Sequence, residues 1–255
     1  MMNLGLMDPA FLGGLGGERD PYFSSVSLLL HGNGTNGSTT IIDSSPSPKT
    51  VTAVGNAQIS TAQSLFGGAS IALDGTGDLL RVASSSGLQI GTSDFTLELF
   101  AYLTGRGNGF GSYFDFRTAS QNQVNLTLTF LGTLGGRTNA TIKLFVNGDV
   151  SIVGGDVPLT TWTHTALCRA SGSTRLFVGG EQFGSTYADN NNYVSDIVRI
   201  GGNVSEDSFI NGYIDELRIT KGIARYEVGT GANAGKMVHA GTNILALPTA
   251  PFPDA

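Results

Sequence analysis

Residues 161–184 read TWTHTALCRASGSTRLFVGGEQFG, and residues 209–226 read FINGYIDELRITKGIARY. Successive side chains of an extended strand point to opposite faces, so Trp162 and His164 share one side of the first segment and Thr163 lies on the other. Serine- and glycine-containing turns reverse the chain twice within this segment, which predicts a β-meander. A meander has an apolar face that a second sheet must cover, so the sequence predicts a β-sandwich.

The composition favours the same fold class. Of the 255 residues 37 are glycine and only 13% are charged, which is typical of short strands joined by tight turns rather than of helices. The net charge is −6, and the 14 lysines and arginines are scattered without forming a basic stripe, which argues against nucleic-acid binding. No segment approaches the ~20 consecutive apolar residues of a membrane helix, so we expect no membrane insertion.

Residues 94–103 form the clearest single strand, with apolar side chains on both faces, as expected for the centre of a sandwich. Glu98 interrupts this pattern, so it should lie near the surface or be hydrogen-bonded. Asn147-Gly148 is a strong hairpin signal. The lone cysteine, Cys168, sits in the middle of a strand and is expected to be a buried apolar residue. Folding without disulfides fits synthesis in a reducing cytoplasm.

The sequence contains no recognisable catalytic pattern. Glycoside hydrolysis needs two carboxyl groups about 5–9.5 Å apart, and Glu98 is alone in its strand. Asp215 and Glu216 are adjacent, so their side chains should point to opposite faces. The three histidines lie outside any nucleophile signature. We therefore expect a protein that is not an enzyme.

Two acidic residues, Asp74 and Asp78, flank the tight turn Gly-Thr-Gly. Such a pair could hold a Ca²⁺ ion if other oxygen atoms converge on it. The alternative is that each carboxylate caps the backbone of its own turn, which is common for aspartate in turns. The sequence leaves both interpretations open.

A polar loop carries two tyrosines in the run Tyr187-Ala-Asp-Asn-Asn-Asn-Tyr193. Tyrosine rings beside amides can stack on a sugar and bind its hydroxyl groups, so Tyr187, Asn190 and Tyr193 are candidate carbohydrate-binding residues. Phe110, in a glycine-rich loop, is a fourth candidate. The alternative is a solvated loop whose tyrosines lean on the sandwich.

The chain divides into three predicted parts. Residues 1–23 form a glycine-rich arm, residues 24–228 the sandwich, and residues 229–255 an extended tail with several prolines. The arm is either a disordered terminus or a segment that docks on a partner. Its candidate anchoring residues are the large apolar ones, Leu4, Leu6, Phe11 and Leu12.

Several ordered blocks resemble laminin-G-like domains of the concanavalin A-like superfamily. These blocks are SLFGGASIALDGTGDLLRV (64–82), SDFTLELFAYL (93–103), TWTHTALCR (161–169), LFVGGEQ (176–182), RIGG (199–202) and FINGYIDELRI (209–219). The phrase YIDELRITKGIARY (213–226) and the ending PTAPFPDA (248–255) resemble those of laminin-G-like modules in bacteriophage virion proteins.

This resemblance implies an antiparallel jelly-roll β-sandwich. It also implies a bacteriophage virion structural protein, made in the host cytoplasm, that serves as a head decoration, fibre or tail-associated module. The arm would bind capsid or tail subunits, and we expect a homo-oligomer, with a trimer as one arrangement. The alternatives are a carbohydrate-binding module for a host surface glycan and, less favoured, a glycoside hydrolase. In such relatives an acidic residue in the phrase around Asp215 can lie beside a structural Ca²⁺, which makes Asp215 a third candidate ligand.

Overall fold

A computed structural model describes residues 19–105, 110–118, 126–131 and 140–254. In these parts of the chain almost all regular structure is antiparallel β, which confirms the predicted all-β sandwich. The candidate anchoring residues of the arm lie outside the described residues. The described part of the chain contains no helix with the length and apolar character of a membrane span.

The strands follow one another closely along the chain. The first nine are β1 (Val26–Leu30), β2 (Thr40–Ile41), β3 (Val51–Val54), β4 (Gln58–Ser60), β5 (Ser70–Asp74), β6 (Leu79–Ala83), β7 (Phe95–Leu103), β8 (Phe110–Asp115) and β9 (Leu126–Leu131). The next nine are β10 (Ala140–Val146), β11 (Asp149–Val157), β12 (Thr163–Ala170), β13 (Ser173–Val178), β14 (Glu181–Ala188), β15 (Ile197–Ile200), β16 (Asn211–Lys221), β17 (Tyr226–Val228) and β18 (Met237–His239). Short 3-10 turns occur at Phe23–Ser25 and Gly231–Asn233.

Two eight-stranded sheets and one two-stranded ribbon form from these strands. Sheet A has the order β14-β13-β12-β7-β16-β5-β4, with β1 also paired to β16. Sheet B has the order β11-β10-β9-β8-β15-β6-β3-β2, and β17 pairs with β18. The predicted hairpin between β10 and β11 is confirmed: Asn147 and Gly148 have φ angles of +54° and +83°. Positive φ at both central residues is the requirement of the tight turn that Asn-Gly favours.

The core lies between the inner faces of the two sheets. On β7, Leu97, Leu99 and Leu103 are fully buried and belong to one continuous apolar cluster that also contains residues of sheet B. Each fully buried leucine contributes about 1.5–3 kcal/mol to the free energy of unfolding. The outward residues of β7, such as Phe100, are also largely buried, which confirms that this strand is central.

The outer face of sheet A is largely covered by residues 222–254. In one cluster Tyr226, Met237 and Ala246 pack on residues of β12 and β13. In another, Phe252 packs with Phe100. The β17–β18 hairpin crosses the predicted boundary at residue 228, because its two strands are needed together to cover the sheet. The C-terminal segment is therefore part of the domain and covers much of the outer face of sheet A.

A buried charge network holds this cover in place. Glu98 is fully buried; its carboxylate accepts a hydrogen bond from Arg218 Nε at 2.9 Å and from the Tyr226 hydroxyl at 2.7 Å, and lies 3.1 Å from His164 Nε2. Of the two alternatives predicted for Glu98, near the surface or hydrogen-bonded, the structure shows the second. Burial alone would raise the pKa of Glu98, but the charge of Arg218 and the contact with His164 hold that pKa well below its usual range.

Asp20 connects the start of the described chain to the same network. Its carboxylate accepts hydrogen bonds from Arg218 Nη1 at 3.1 Å and from Arg225 Nη1 and Nη2 at 3.0 and 2.7 Å. All three side chains are buried. Asp20 is therefore fixed to the sandwich by two buried arginines.

The far end of the C-terminal segment is fixed by a second set of contacts. His31 Nδ1 lies 2.9 Å from the Glu216 carboxylate and His31 Nε2 lies 2.6 Å from Asp254 Oδ1. The Glu216 carboxylate also accepts the Phe252 N–H at 2.8 Å, and the Arg218 guanidinium lies 3.9 Å from the centre of the Phe252 ring. Residues 252–254 are thus held by both hydrogen bonds and a cation–π contact.

The His31 contacts predict a pH-dependent stability. Burial would lower the pKa of His31, but the hydrogen bonds and charges of Glu216 and Asp254 outweigh it and raise the pKa to about 9. In the unfolded chain the pKa is about 6.5, so the stabilisation is complete below that pH and is lost as the pH rises through 9. We expect the free energy of unfolding to fall between pH 6.5 and 9.5 by up to about 3 kcal/mol.

Urea unfolding of the wild type and of His31→Gln at both pH values measures this effect. The variant is the control for every other group that titrates in the interval, because it lacks only the imidazole. The wild type should lose more stability than the variant. Equal losses in the two proteins would contradict the assignment.

Candidate functional site

The open outer face of sheet B contains a hollow of about 230 Å³. Its lining residues come from β8 to β10 and from the loops beside them: Phe110, Arg117, Thr127, Thr129, Phe145, Gly148 and Asn203. Phe110 is the one member of the four predicted carbohydrate-binding residues that lies here. Phe145, Arg117 and Asn203 are new members that the sequence patterns alone did not select.

Strand alternation places these side chains outside the sandwich. On β9, Leu126 and Leu128 are buried in the core, so Thr127 and Thr129 point away from it. Phe145 is directly opposite Thr127 on the neighbouring strand and shares its face. Phe145 therefore stands half-buried on the outer surface, because its neighbours along β10 occupy the core.

A buried carboxylate organises the polar side of the hollow. Asp115 is fully buried and accepts hydrogen bonds from Arg117 Nε at 3.0 Å and Arg117 Nη2 at 2.7 Å. The same oxygen, Asp115 Oδ2, also accepts the Val204 N–H at 2.7 Å, which fixes the loop that carries Asn203. Asn203 in turn donates to Asp207 at 2.7 Å, and this bond lowers the pKa of Asp207. These polar groups are preorganised before any ligand arrives.

The apolar side of the hollow consists of two aromatic rings. Phe110 is 48% exposed, which is high for phenylalanine, and Phe145 is half-buried. Arg117 and Asn203 have more N–H groups than their intramolecular bonds use. The arrangement therefore offers apolar ring surface beside hydrogen-bond donors, which suits a ligand with both apolar and hydroxylated faces.

The polar tyrosine loop is structural. Tyr193 is 1% exposed; its hydroxyl donates to Asp189 at 2.9 Å and its ring lies 5.1 Å from the buried Arg169 guanidinium. The Tyr187 hydroxyl is occupied by an amide of the same loop. The predicted sugar-stacking role does not fit Tyr193, because burial removes its ring from solvent. Of the three candidate residues in this loop only Asn190 is exposed, so the alternative interpretation of the loop agrees with the structure.

The predicted metal ligands do not form one group. Asp78 is 1% exposed, and its carboxylate accepts the backbone N–H groups of Asn56 and Asp74, the latter at 2.9 Å. Asp74 accepts the Thr76 N–H at 2.7 Å, so both carboxylates cap backbone as the alternative interpretation described. Asp215 instead accepts hydrogen bonds from the N–H groups of Leu65 and Phe66, in a different loop. No group of three potential ligands occurs among the described residues.

Asp215 and Glu216 are not on opposite faces, and that prediction is wrong. The β16–β7 register shifts between Asp215 and Arg218, and Glu216 has a φ of +49°. This bulge turns both carboxylates to the outer side of sheet A: Asp215 accepts the Phe66 N–H at 3.1 Å, and Glu216 binds the C-terminal segment that packs beside Phe66. Both carboxylates are fully buried.

Asp215 is an unfavourable buried charge at neutral pH. Burial raises its pKa to about 6, and Glu216 adds to this, while the N–H groups of Leu65 and Phe66 oppose it. Because the folded pKa lies above the unfolded value of about 3.9, stability falls as the pH rises through this interval. We expect Asp215→Asn to raise the free energy of unfolding at pH 7 by about 1–3 kcal/mol, since its amide oxygen can still accept both N–H groups.

Urea unfolding at pH 7 and pH 4.5 tests this expectation. At pH 4.5 the wild-type carboxyl is largely protonated, so the advantage of the variant should disappear. A variant that is less stable than the wild type at pH 7 would contradict the account of this residue.

Comparisons with known proteins agree with this architecture. The model of a laminin-G family, described as the concanavalin A-like lectin/glucanases superfamily, matches residues 74–224. No curated protein matches the chain. Domain 4 of an extracellular arabinanase from Geobacillus stearothermophilus, in complex with arabinotriose, is similar with a TM-score of 0.56 and 19% identity over 78% of this chain and 94% of that one.

Two further solved structures share the fold. The botulinum neurotoxin serotype D binding domain has a TM-score of 0.55 and 15% identity over 79% of this chain and 49% of that one. The Trypanosoma rangeli sialidase in complex with 2,3-difluorosialic acid has a TM-score of 0.52 and 12% identity over 77% of this chain and 31% of that one. The chain thus spans half or less of these two proteins, and such low identities show the fold alone.

Proposed function

The chain belongs to the laminin-G family of the concanavalin A-like lectin/glucanases superfamily, and we propose that it is a carbohydrate-binding domain. The observation that carries this proposal is the hollow on sheet B, where the exposed ring of Phe110 and the half-buried ring of Phe145 lie beside Arg117 and Asn203. The similar arabinanase domain, whose structure contains arabinotriose, supports the same function.

The physical chemistry of the hollow suits a sugar. A pyranose or furanose ring has an apolar C–H face that stacks on aromatic rings, and hydroxyl groups around its edge that need hydrogen-bond partners. Phe110 and Phe145 supply the apolar ring surface, and Arg117 and Asn203 supply hydrogen-bond donors. The polar groups are already fixed through Asp115, so binding costs little conformational entropy.

We propose binding rather than hydrolysis. The described residues that line the hollow include no carboxylate, whereas both mechanisms of glycoside hydrolysis use a pair. Asp115, just beneath, is fully buried and committed to Arg117 and Val204. A polysaccharide retained by the protein should therefore keep its chain length on incubation, and shortening of that chain would contradict the proposal.

A glycan array probed with the full chain tests the function. The wild type should bind at least one glycan, and Val153→Ala should bind the same ones, because Val153 is 52% exposed on neighbouring β11 but does not line the hollow. Phe145→Ala should no longer bind these glycans. An array on which the wild type binds no glycan would overturn the proposal.

A second candidate function is a structural role in a bacteriophage virion. It is supported by the resemblance of residues 213–226 to virion modules. In this proposal residues 1–18 dock on a capsid or tail subunit, and copies of the chain form a homo-oligomer. Such a protein could still bind host glycan through sheet B.

Deletion of residues 1–18 tests the virion role. The truncation must stop before Asp20, because removing that carboxylate would take one buried partner from each of Arg218 and Arg225. The truncated protein should unfold at the same temperature as the wild type and be absent from assembled particles. Full incorporation of the truncated protein would contradict docking by the arm.

A further inference from the structure

A larger groove of about 620 Å³ lies at one end of sheet A, on the opposite sheet from the hollow. Its lining residues are mostly small or polar: Thr39, Gly55, Asn56, Gln58, Ala72, Leu73, Asp74, Asp78, Thr104, Asn211, Gly212 and Tyr213. The segment that covers the rest of this sheet contributes none of them. The groove therefore remains open where the neighbouring surface is covered.

Strand register explains the shape of the groove. Gln58 is directly opposite Ala72, Ala72 is opposite Tyr213, and Tyr213 is opposite Tyr102. Residues in direct register share a face of the sheet, so these four form one row across β4, β5, β16 and β7. Ala72 has the smallest side chain of the row, which leaves a depression between the amide of Gln58 and the ring of Tyr213.

The polar side of the groove has unused hydrogen-bonding capacity. The Gln58 amide is half-buried and makes no hydrogen bond to the described residues. Asn211 accepts from the Thr104 hydroxyl at 2.8 Å, and Asn56 donates to Asp74 at 3.2 Å, which leaves further donors and acceptors on each amide. Amide and carboxylate groups at this density can hold the adjacent hydroxyls of a sugar.

The aromatic side continues the row beyond the groove. The ring centres of Tyr213 and Tyr102 are 6.1 Å apart, and those of Tyr102 and Trp162 are 5.5 Å apart. All three rings are half-buried, so each keeps part of its surface in solvent. Neither tyrosine hydroxyl bonds to a described residue. Apolar ring surface thus adjoins the polar groove along a line across the strands.

We propose that this row is a second saccharide-binding site, which takes a short oligosaccharide along the line from Gln58 to Tyr102. The site is independent of the hollow on sheet B and faces the other way. One copy of the protein can therefore hold two glycan chains, or two points of one surface glycan. An extended peptide would instead add to a sheet edge, but the outer edge of β4 is already occupied, because the backbone of Ile59 bonds to Gly37 and Ser38.

The single tryptophan of the chain makes the site observable. Trp162 lies beside Tyr102 in the row and is the only tryptophan in the sequence, so its emission reports on this face. Arabinotriose and maltotriose are titrated into the full chain while the emission of Trp162 is recorded. At least one trisaccharide should produce a saturable change.

Two variants locate the binding event. Gln58→Ala should weaken binding about fivefold, the usual effect of one lost hydrogen bond, without destabilising the fold, because its amide has no described partner. Phe145→Ala, on the other sheet, should leave the titration unchanged. The proposal is overturned if neither sugar changes the emission, or if Phe145→Ala abolishes the change while Gln58→Ala preserves it. A titration in which neither sugar changes the emission would not argue against the site on sheet B, since the glycan array tests that site separately.

Discussion

Replacing Arg218 with methionine is expected to lower the free energy of unfolding by about 3–5 kcal/mol. The substitution leaves Glu98 fully buried with its main positive partner removed, and it deprives Asp20 of one of its two arginines. It also removes the cation that lies 3.9 Å from the Phe252 ring. Urea unfolding at pH 7 measures the loss.

An exposed ion pair provides the matched control. Lys236 and Glu181 contact each other with side chains 44% and 49% exposed, so Lys236→Met should cost no more than about 1 kcal/mol. Adding Glu98→Gln to Arg218→Met should recover part of the loss, because it removes the unpaired charge. If Arg218→Met is as stable as Lys236→Met, the buried network does not hold Asp20 and Phe252 on the sandwich.

Replacing Phe145 with alanine is expected to weaken glycan binding at least tenfold, which corresponds to about 1.4 kcal/mol or more of binding free energy. The ring is one of the two that form the apolar side of the hollow, and its loss leaves a sugar face in water. Isothermal titration calorimetry with a glycan retained on the array measures the change.

Val153→Ala is the matched control, because it removes an exposed apolar side chain from the same sheet without touching the hollow. Its affinity should equal that of the wild type. Thermal unfolding should show that Phe145→Ala remains folded, since Phe145 is only half-buried. Equal affinities of the wild type and Phe145→Ala would place the sugar elsewhere.

Local patterns predicted most of the fold. The alternation of residues 94–103 located the central strand and singled out Glu98 as a residue that needs partners, and Asn147-Gly148 located a hairpin. The bulge at Glu216 was not predictable in this way. It places a non-glycine residue at positive φ, and its stabilising partners, His31 and Phe252, are far away in sequence.

The candidate site was harder to predict because burial decides which aromatic rings a ligand can reach. Tyr193 lies in a polar loop yet is buried, because the buried guanidinium of Arg169 contacts its ring and donates a hydrogen bond to the backbone of the same loop. Phe145 lies between two other apolar residues, Leu144 and Val146, in one strand of a hairpin. Only its register beside the outward Thr127 shows that it faces solvent. Alternation along β10 puts Phe145 on the opposite face from Leu144 and Val146. Once those two residues are known to be buried, the alternation shows that Phe145 faces outward.

A crystal structure of the full chain with bound oligosaccharide tests the central claim most directly. The account predicts a sugar ring packed against Phe110 and Phe145, with its hydroxyl groups within hydrogen-bonding distance of Arg117 or Asn203. Sugar bound also along the row on sheet A would be compatible with this result. Sugar bound only away from the sheet B hollow, with the hollow accessible in the crystal, would contradict it.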